Sequence, residues 1–335
     1  MNHIEGWQPA AKGAPVSDAI REPCVDVVIA AWNSARTIGK AIESVLSDPA
    51  VCSVAVIDDA SADRTLEAAK ASDDCSGRLI LRRLETNRGP AAARNAGISI
   101  SNAPWIAVVD ADDYVISGRF TRLVALAGGC DFVADDIGQF VEGSADGPQP
   151  LLSQEPFTAW TCDFETFVRG NVSAPGRLRK ELGFLKPLMR RDFLTEHGLK
   201  YDERLRLGED YAIYARALAL GARFLVVPSQ GYVSLIRDNS LSAHHLKADL
   251  ERLRDSDLEL LEMRDFARGE RGAILKHYHS IDARVQWLTV IEAVKSRNPV
   301  RFLQATLRSK ETALFVSARL CEQLVARSLK YMAIQ

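Results

Sequence analysis

The chain has 335 residues, 47% of them apolar and 26% charged, proportions that suit a soluble globular protein of one large or two modest domains. Its net charge of -2 carries no whole-chain signal for nucleic acid, and no apolar run of about 18 residues offers a membrane-spanning helix. The charge is uneven: Arg284 to Gln335 hold nine Lys/Arg and three Asp/Glu, a net of +6 that leaves -8 for the rest.

In chain order, residues 1–23 are polar with Gly and Pro and read as a loose arm. VDVVIAA (25–31) is a β-rich run, followed by a helical pattern with Ile38, Ile42, Val45 and Leu46 on one face. VCSVAVID (51–58) reads as a second strand, SADRTLEAAKA (61–71) as a helix opened by Ser and Asp, and LILRRLE (79–85) as a third strand. GPAAARNAGISI (89–100) is small and Ala-rich, a helix that must pack closely, and WIAVVD (105–110) is a fourth strand. Strands alternating with helices over 25–137 predict an open, mostly parallel sheet with helices on both faces, whose ligands sit beyond the carboxyl ends of the strands. The stretch 138–176, rich in Gly, Pro, Ser and Asp, reads as a mobile surface loop. FLKPLMRRDFLTEHG (184–198) reads as helix, GEDYAIYARALALG (208–221) as a strong helix, and RFLVVP (223–228) and GYVSLI (231–236) as strands. From about residue 245 the pattern is helical to the end. There Leu314, Ala318, Cys321, Val325, Leu329 and Met332 share one face, which suits a core or dimer helix, or an interfacial helix on a membrane.

Two strand ends are unusual. Asp58-Asp59 follows the second strand, and Asp110, Asp112 and Asp113 close the fourth. Like charges so close repel, so the cluster either stands in water or holds something positive. Hard cations such as Mg2+ or Mn2+ take oxygen ligands, commonly one or two carboxylates plus substrate phosphates. A D-x-D spacing at a strand end can aim two carboxylates into one pocket while the middle residue points away. GxGxxG after a strand, GxxxxGK[ST], HExxH and GxSxG are all absent, so dinucleotide, P-loop and hydrolase-elbow readings lose their support. The six cysteines, Cys24, Cys52, Cys75, Cys130, Cys162 and Cys321, form no CxxC pair and read as thiols in a reducing compartment. The first twenty residues lack the apolar core of a signal peptide, so a cytoplasmic protein is expected.

Five pieces in order are VVIAAWNSARTIGKAIESVL, AVIDDASADRT, NRGPAAARNAGI, IAVVDADDYV and LRLGEDYAIYARAL. Each is weak alone; at this spacing they make residues 25–245 resemble the family 2 inverting glycosyltransferases of GT-A fold, including bacterial succinoglycan-type glucosyltransferases. The resemblance implies an α/β fold: a Rossmann-like mixed, mostly parallel sheet flanked by helices over 24–245, with a C-terminal helical extension over 246–335. Residues 24–137 would be the nucleotide-binding half and 138–245 the acceptor half. The implied reaction moves a sugar, glucose by preference, from a UDP-sugar to a saccharide acceptor with the help of Mn2+ or Mg2+. An acceptor on polyprenyl diphosphate at the inner membrane face would suit exopolysaccharide assembly.

Carried over residue by residue, Trp32 would stack on the uracil, flanked by Ala31 and Asn33. Ala30 stands where the family has Pro. Asp59 would accept the uracil N–H. Arg94, beside Asn95, would project towards the nucleotide and hold Asp59 in place. Asp112 would bind the metal that bridges the diphosphate, Asp110 would support it near the ribose, and Ala111 lies between them in the nucleotide-sugar site. Asp113 would orient loop backbone or the sugar. Glu209-Asp210 matches the family's acidic pair at a helix start, with Asp210 the base for the acceptor hydroxyl and Glu209 an acceptor-positioning neighbour. Where some members carry a His, this chain has Arg237, which can grip a diphosphate but cannot ligate a metal; His244 and His245 follow. A silent nucleotide-sugar-binding scaffold of the same fold is the alternative, against which the intact Asp112 and Asp210 stand. A nucleotidyltransferase would need a Gly-rich phosphate loop that AAWNSARTIG does not supply. The basic tail suggests peripheral contact with an anionic membrane. A second copy of the chain is a further candidate partner, and nucleic acid is not.

Overall fold

The computed structural model describes residues 25–144, 146–153, 155–172, 182–236 and 246–332, with side chains described to 325. The N-terminal arm, Arg237, His244 and His245 lie outside the described residues. The chain divides into two compact units, residues 1–171 with 180–243, and residues 172–179 with 244–335.

In the first unit the β-branched runs become strands buried on both faces, as a sheet covered by helices requires. The elements run β1 (Val25–Ala31), α1 (Ile38–Leu46), β2 (Val51–Asp58), α2 (Thr65–Ala71), β3 (Leu79–Arg83), α3 (Pro90–Ile98) and β4 (Trp105–Asp110). Ile38, Ile42, Val45 and Leu46 are the buried face of α1. The small residues of α3 let it lie on β1: a Cβ on Gly97 would stand 2.3 Å from a methyl of Val28. α2 starts later than its Ser61 and Asp63 suggest, because both side chains serve the neighbouring loop. Ser61 Oγ accepts the Asn33 N–H at 2.9 Å, and Asp63 Oδ2 accepts the Ala35 N–H at 3.1 Å.

The next elements are β5 (Tyr114–Val115), α4 (Arg119–Leu126), β6 (Phe132–Val141), β7 (Gln149–Pro150), β8 (Trp160–Cys162) and α5 (Phe164–Gly170). They replace much of the surface loop expected over 138–176; Asp163 caps α5 by accepting the Thr166 N–H at 2.7 Å. Then come β9 (Leu188–Arg190), α6 (Arg191–Glu196), α7 (Glu209–Ala219) and β10 (Phe224–Ile236). The helix expected over 184–198 is therefore interrupted. Pro187 disfavours helix at the residue before it, and the fully buried Leu188 and Met189 enter the sheet. The two strands expected over 223–236 are one strand with an irregularity between Val227 and Tyr232.

The sheet order is β3-β2-β1-β4-β9-β6-β10-β5, with β7 beside β6 and β8 beside β10. β1, β2, β3 and β4 pair in parallel, β6 and β10 do the same, and β9 runs antiparallel between β4 and β6. The carboxyl ends of β1, β2 and β4 thus share one rim, which carries the acidic strand ends.

The second unit is helical: α8 (Lys247–Leu261), α9 (Arg268–Lys295), α10 (Pro299–Thr306) and α11 (Lys310–Met332). Val290, Ala305 and Val316 form its buried apolar cluster, with Trp287, Phe302 and Leu320 packed against it. α11 therefore buries the side of Val316. Leu314, Ala318, Cys321 and Val325 are exposed, which removes the core reading of that face over its described part. Side chains of Leu329 and Met332 lie outside the described residues. No helix of the described residues is long and apolar enough to cross a membrane.

Candidate active site

Trp32 and Asn33 follow the end of β1. Trp32 is 42% exposed, so its ring is presented at the surface rather than packed in the core. Asn33 takes a left-handed backbone conformation, φ 50°, which Asn tolerates better than most residues. Its loop is laced to the one after β2. Asn33 Oδ1 accepts the Ala62 N–H at 2.8 Å, and Thr65 Oγ1 accepts the Ser34 N–H at 2.8 Å. The buried Ala31 contributes its carbonyl, which accepts the Asp59 N–H at 2.8 Å.

Asp59 is buried. Its two oxygens accept the backbone N–H groups of Arg88 and Gly89 at 2.7 and 2.8 Å. The turn at Gly89, φ 92°, lets α3 start there. The expected partnership of Arg94 with Asp59 is thus corrected: backbone amides hold Asp59, and Arg94 points elsewhere.

Arg94 and Lys186 are each only 4% exposed and build the centre of the site. Arg94 Nη2 donates to Asp110 Oδ1 at 2.8 Å, while Nη1 donates to Asp210 Oδ1 at 3.2 Å and Glu209 Oε1 at 2.6 Å. Lys186 Nζ lies 3.0 Å from Asp110 Oδ2 and 2.7 Å from Asp210 Oδ2. Each aspartate gives one oxygen to the arginine and the other to the lysine, which closes a ring of four charged side chains. Burial alone would raise the Asp110 carboxyl, but Lys186 and Arg94 outweigh it and hold the carboxyl well below the usual range. Burial likewise works against the Lys186 ammonium, yet Asp110 and Asp210 raise its pKa above the ordinary lysine value.

Asn95, next to Arg94, clamps the chain ahead of α7. Its Nδ2 donates to the Tyr201 carbonyl at 2.9 Å and its Oδ1 accepts the Tyr201 N–H at 3.0 Å. Gly208, in the left-handed conformation, turns the chain into α7, so that Glu209 and Asp210 open the helix towards the ring. Below the D-x-D pair, Tyr232 donates to Asp113 Oδ2 at 2.8 Å, and Asp113 Oδ1 accepts the Leu235 N–H at 3.0 Å. Asp113 therefore orients backbone. Burial, with Asp110 and Asp112 close by, pushes its carboxyl up to about 7.

Among the described residues no group of three or more His, Cys, Asp or Glu is placed to hold a metal. Both Asp110 oxygens are engaged by cations, and Asp112 beside it is half-buried. Counting Asp110, Asp112, Glu209 and Asp210 against Arg94 and Lys186 leaves a formal -2. Hard oxygen donors in a net negative site fit a divalent cation that brings further ligands with its substrate.

Lys186 is the residue that sequence reasoning missed. Its signal was a lone lysine inside the apolar run FLKPLM, since lysine is almost never fully buried unless paired. Its backbone is also fixed: its carbonyl accepts Arg119 Nη2 at 2.6 Å, from a fully buried Arg119–Asp135 pair.

Comparison with known proteins points the same way. The family model Glycosyl transferase family 2 matches residues 26–171. The succinoglycan biosynthesis protein ExoU of Rhizobium meliloti (strain 1021) is 45% identical over 262 residues, 78% of this chain and 76% of that protein. ExoO of the same strain, also a succinoglycan biosynthesis protein, is 41% identical over 225 residues, 66% of this chain and 63% of that protein. In fold, S. aureus TarS 1-349 in complex with UDP-GlcNAc superposes with a TM-score of 0.62 at 17% identity, over 84% of this chain and 90% of that one. The mannosyltransferase PcManGT from Pyrobaculum calidifontis, in complex with GDP-Man and Mn2+, gives 0.57 at 14% identity, over 90% and 81%. The chain belongs to glycosyl transferase family 2, with the GT-A fold, and is a sugar-transferring enzyme.

Proposed function

We propose that this chain is an inverting, metal-dependent hexosyltransferase that moves glucose from UDP-glucose to a saccharide on polyprenyl diphosphate, in exopolysaccharide assembly at the inner face of the cytoplasmic membrane. The observation that carries this reading is the ring of Arg94, Asp110, Lys186 and Asp210, which joins the D-x-D strand end to the acidic helix start. Donor diphosphate and acceptor hydroxyl would then meet over one charge network. Residues 24–245 would carry both substrates, and 246–335 would form a helical extension.

Each role has a physical basis. The exposed Trp32 offers an indole face to the uracil, with Ala31 and Asn33 shaping the loop. Asp59 keeps lone pairs for the uracil N–H after taking two backbone amides. Asp112, with Asp110 behind it, would hold Mn2+ or Mg2+, which when bound offsets the charge growing on the departing UDP. Asp210 takes the proton as the acceptor oxygen bonds to the anomeric carbon and the bond from that carbon to the diphosphate oxygen breaks. Glu209 positions the acceptor. Negative charge around the anomeric centre also suits an oxocarbenium-like transition state. Arg94 serves this site through the carboxylates, and Arg237 remains a candidate for the diphosphate.

The substrates are supported by the relatives. ExoU and ExoO are described as succinoglycan biosynthesis proteins. WfaP of Escherichia coli, described as a UDP-Glc:alpha-D-GlcNAc-diphosphoundecaprenol beta-1,3-glucosyltransferase, is 31% identical over 101 residues, 30% of this chain. The test is transfer of label from UDP-glucose, UDP-galactose or GDP-mannose into the lipid extract of an exopolysaccharide-producing bacterium. Label from UDP-glucose should enter the lipid with Mn2+ and not with EDTA. Label from GDP-mannose alone, or transfer undiminished in EDTA, would overturn the reading.

A further inference from the structure

The second unit carries a surface that its own packing does not use. On α10, Phe302 and Ala305 face the apolar cluster with Val290 and Val316. The other side holds Val300, Leu303 and Leu307, which are 62%, 54% and 69% exposed. Their spacing puts them on one face, with Gln304 between them. Val294, at the end of α9, is exposed as well. The corner before α10 is set by its own chemistry: Arg297 takes a left-handed conformation, φ 53°, and Asn298 Oδ1 caps the helix by accepting the Arg301 N–H at 2.9 Å.

The chain around this face is rich in basic residues, with Glu292 and Glu311 at either end of the stretch. From Ala293 to Lys310 the chain has Lys295, Arg297, Arg301, Arg308 and Lys310, and no Asp or Glu. Arg301 reaches back to Glu292 at 2.8 Å and Arg308 to Asp282 at 3.1 Å, yet both side chains stay about half exposed. Lys295 and Arg297 make no ion pair among the described residues. An apolar stripe with a cationic border is the chemistry of a helix lying in the plane of an anionic bilayer. The exposed stripe of α11 differs. Over residues 311–325, Leu314, Ala318, Cys321 and Val325 are accompanied by Glu311, Arg319 and Glu322, a net of -1, and Arg327 and Lys330 come only after that stretch, so the charge around this stripe is mixed.

We propose that the Val300, Leu303 and Leu307 face of α10, with Lys295, Arg297, Arg301 and Arg308 around it, is the surface by which this chain docks on an anionic phospholipid bilayer. This deepens the membrane-side part of the proposed function and places the contact on α10, within the basic stretch from Arg284 and ahead of α11. It does not depend on the donor chemistry.

The test uses the full chain and two kinds of vesicle, phosphatidylcholine alone and phosphatidylcholine with about one-third phosphatidylglycerol, in a co-sedimentation assay. The unmodified chain should bind the anionic vesicles about tenfold or more tightly than the neutral ones, and less at high salt. Leu303→Asp with Leu307→Asp, and separately Arg297→Glu with Arg301→Glu, should each remove about tenfold or more of that binding. Leu314→Asp with Val325→Asp should leave it unchanged. UDP affinity with Mn2+, measured on every variant, reports whether the first unit is intact; a chain that binds vesicles but not UDP would sink the donor reading and leave this inference standing. Equal binding to both vesicles, or none, would overturn it. So would loss of binding only in the α11 variant. Conversion of a dimer to a monomer by the α10 variants, with vesicle binding unchanged, would overturn it in favour of a contact between two copies.

Discussion

Two buried clusters of opposite charge lie in the first unit, and they differ in balance and access. Arg119 and Asp135 are both fully buried and pair one to one at 2.7 Å. Asp135 Oδ2 also accepts the Gln230 N–H at 2.8 Å, and Arg119 holds the Lys186 carbonyl. This pair ties α4, β6, β10 and the approach to β9 together, and it leaves no net charge over. The ring of Arg94, Asp110, Lys186 and Asp210 also ties distant segments, but with Glu209 and Asp112 it carries a formal -2 and opens to the rim. A balanced, closed pair is architecture; an unbalanced, open one has charge to spare for a partner that arrives positive, the role proposed for it above. Burial alone would not separate them.

The largest expected effect breaks the second cluster without touching the first. Asp210→Asn should lower transfer by about 10^2- to 10^4-fold, the usual worth of a general base, while UDP still binds. Near-normal turnover would move the base elsewhere. Asp135→Asn should do the opposite, removing about 3–5 kcal/mol of stability because Arg119 is left as an uncompensated buried charge. Chemical denaturation checks it, and an unchanged midpoint would make the pair dispensable. Lys186→Met should slow transfer by about ten- to hundredfold, the worth of a charge-assisted hydrogen bond. Lys186→Arg should restore part of it; an equal loss in both variants would reduce Lys186 to packing. The smallest effect lies beside the balanced pair. Burial, opposed by the Leu152 amide and helped by the Asp135 charge, pushes the Asp136 carboxyl up to about 6. The folded chain then holds this proton more tightly than the unfolded one, so stability falls as pH rises from about 4 to about 6 and is level above. Asp136→Asn should flatten that slope and gain about 1 kcal/mol above it; a slope that survives the change would assign it to another group.

The donor half was legible because its chemistry is local. Periodicity marked β1, α1, β2 and β4 from their own residues, and the glycine of α3 announced its close packing on Val28. Asp59, Asp110, Asp112, Glu209 and Asp210 were found as acidic strand and helix ends, and the structure gathers Asp110, Glu209 and Asp210 on Arg94. The far partner of Arg94 was not legible, since nothing in NRGPAAARNAGI says that its guanidinium passes Asp59 and reaches α7. Lys186 was hidden for the same reason. It sits before Pro187 in a segment with a helical apolar pattern, and only pairing in the sheet turned 188–190 into a strand that delivers it. On α11 the helical pattern admitted two apolar sides, and packing on α9 and α10 chose the side of Val316.

The most direct test of the central claim is calorimetric titration of UDP and UDP-glucose into the purified chain, with Mn2+ and then with EDTA, on the unmodified protein and on Asp112→Asn. Binding that requires Mn2+ and is lost in Asp112→Asn is the predicted result. Binding unchanged by EDTA and by the substitution, or no binding at all, would contradict it and leave the net negative rim without its cation.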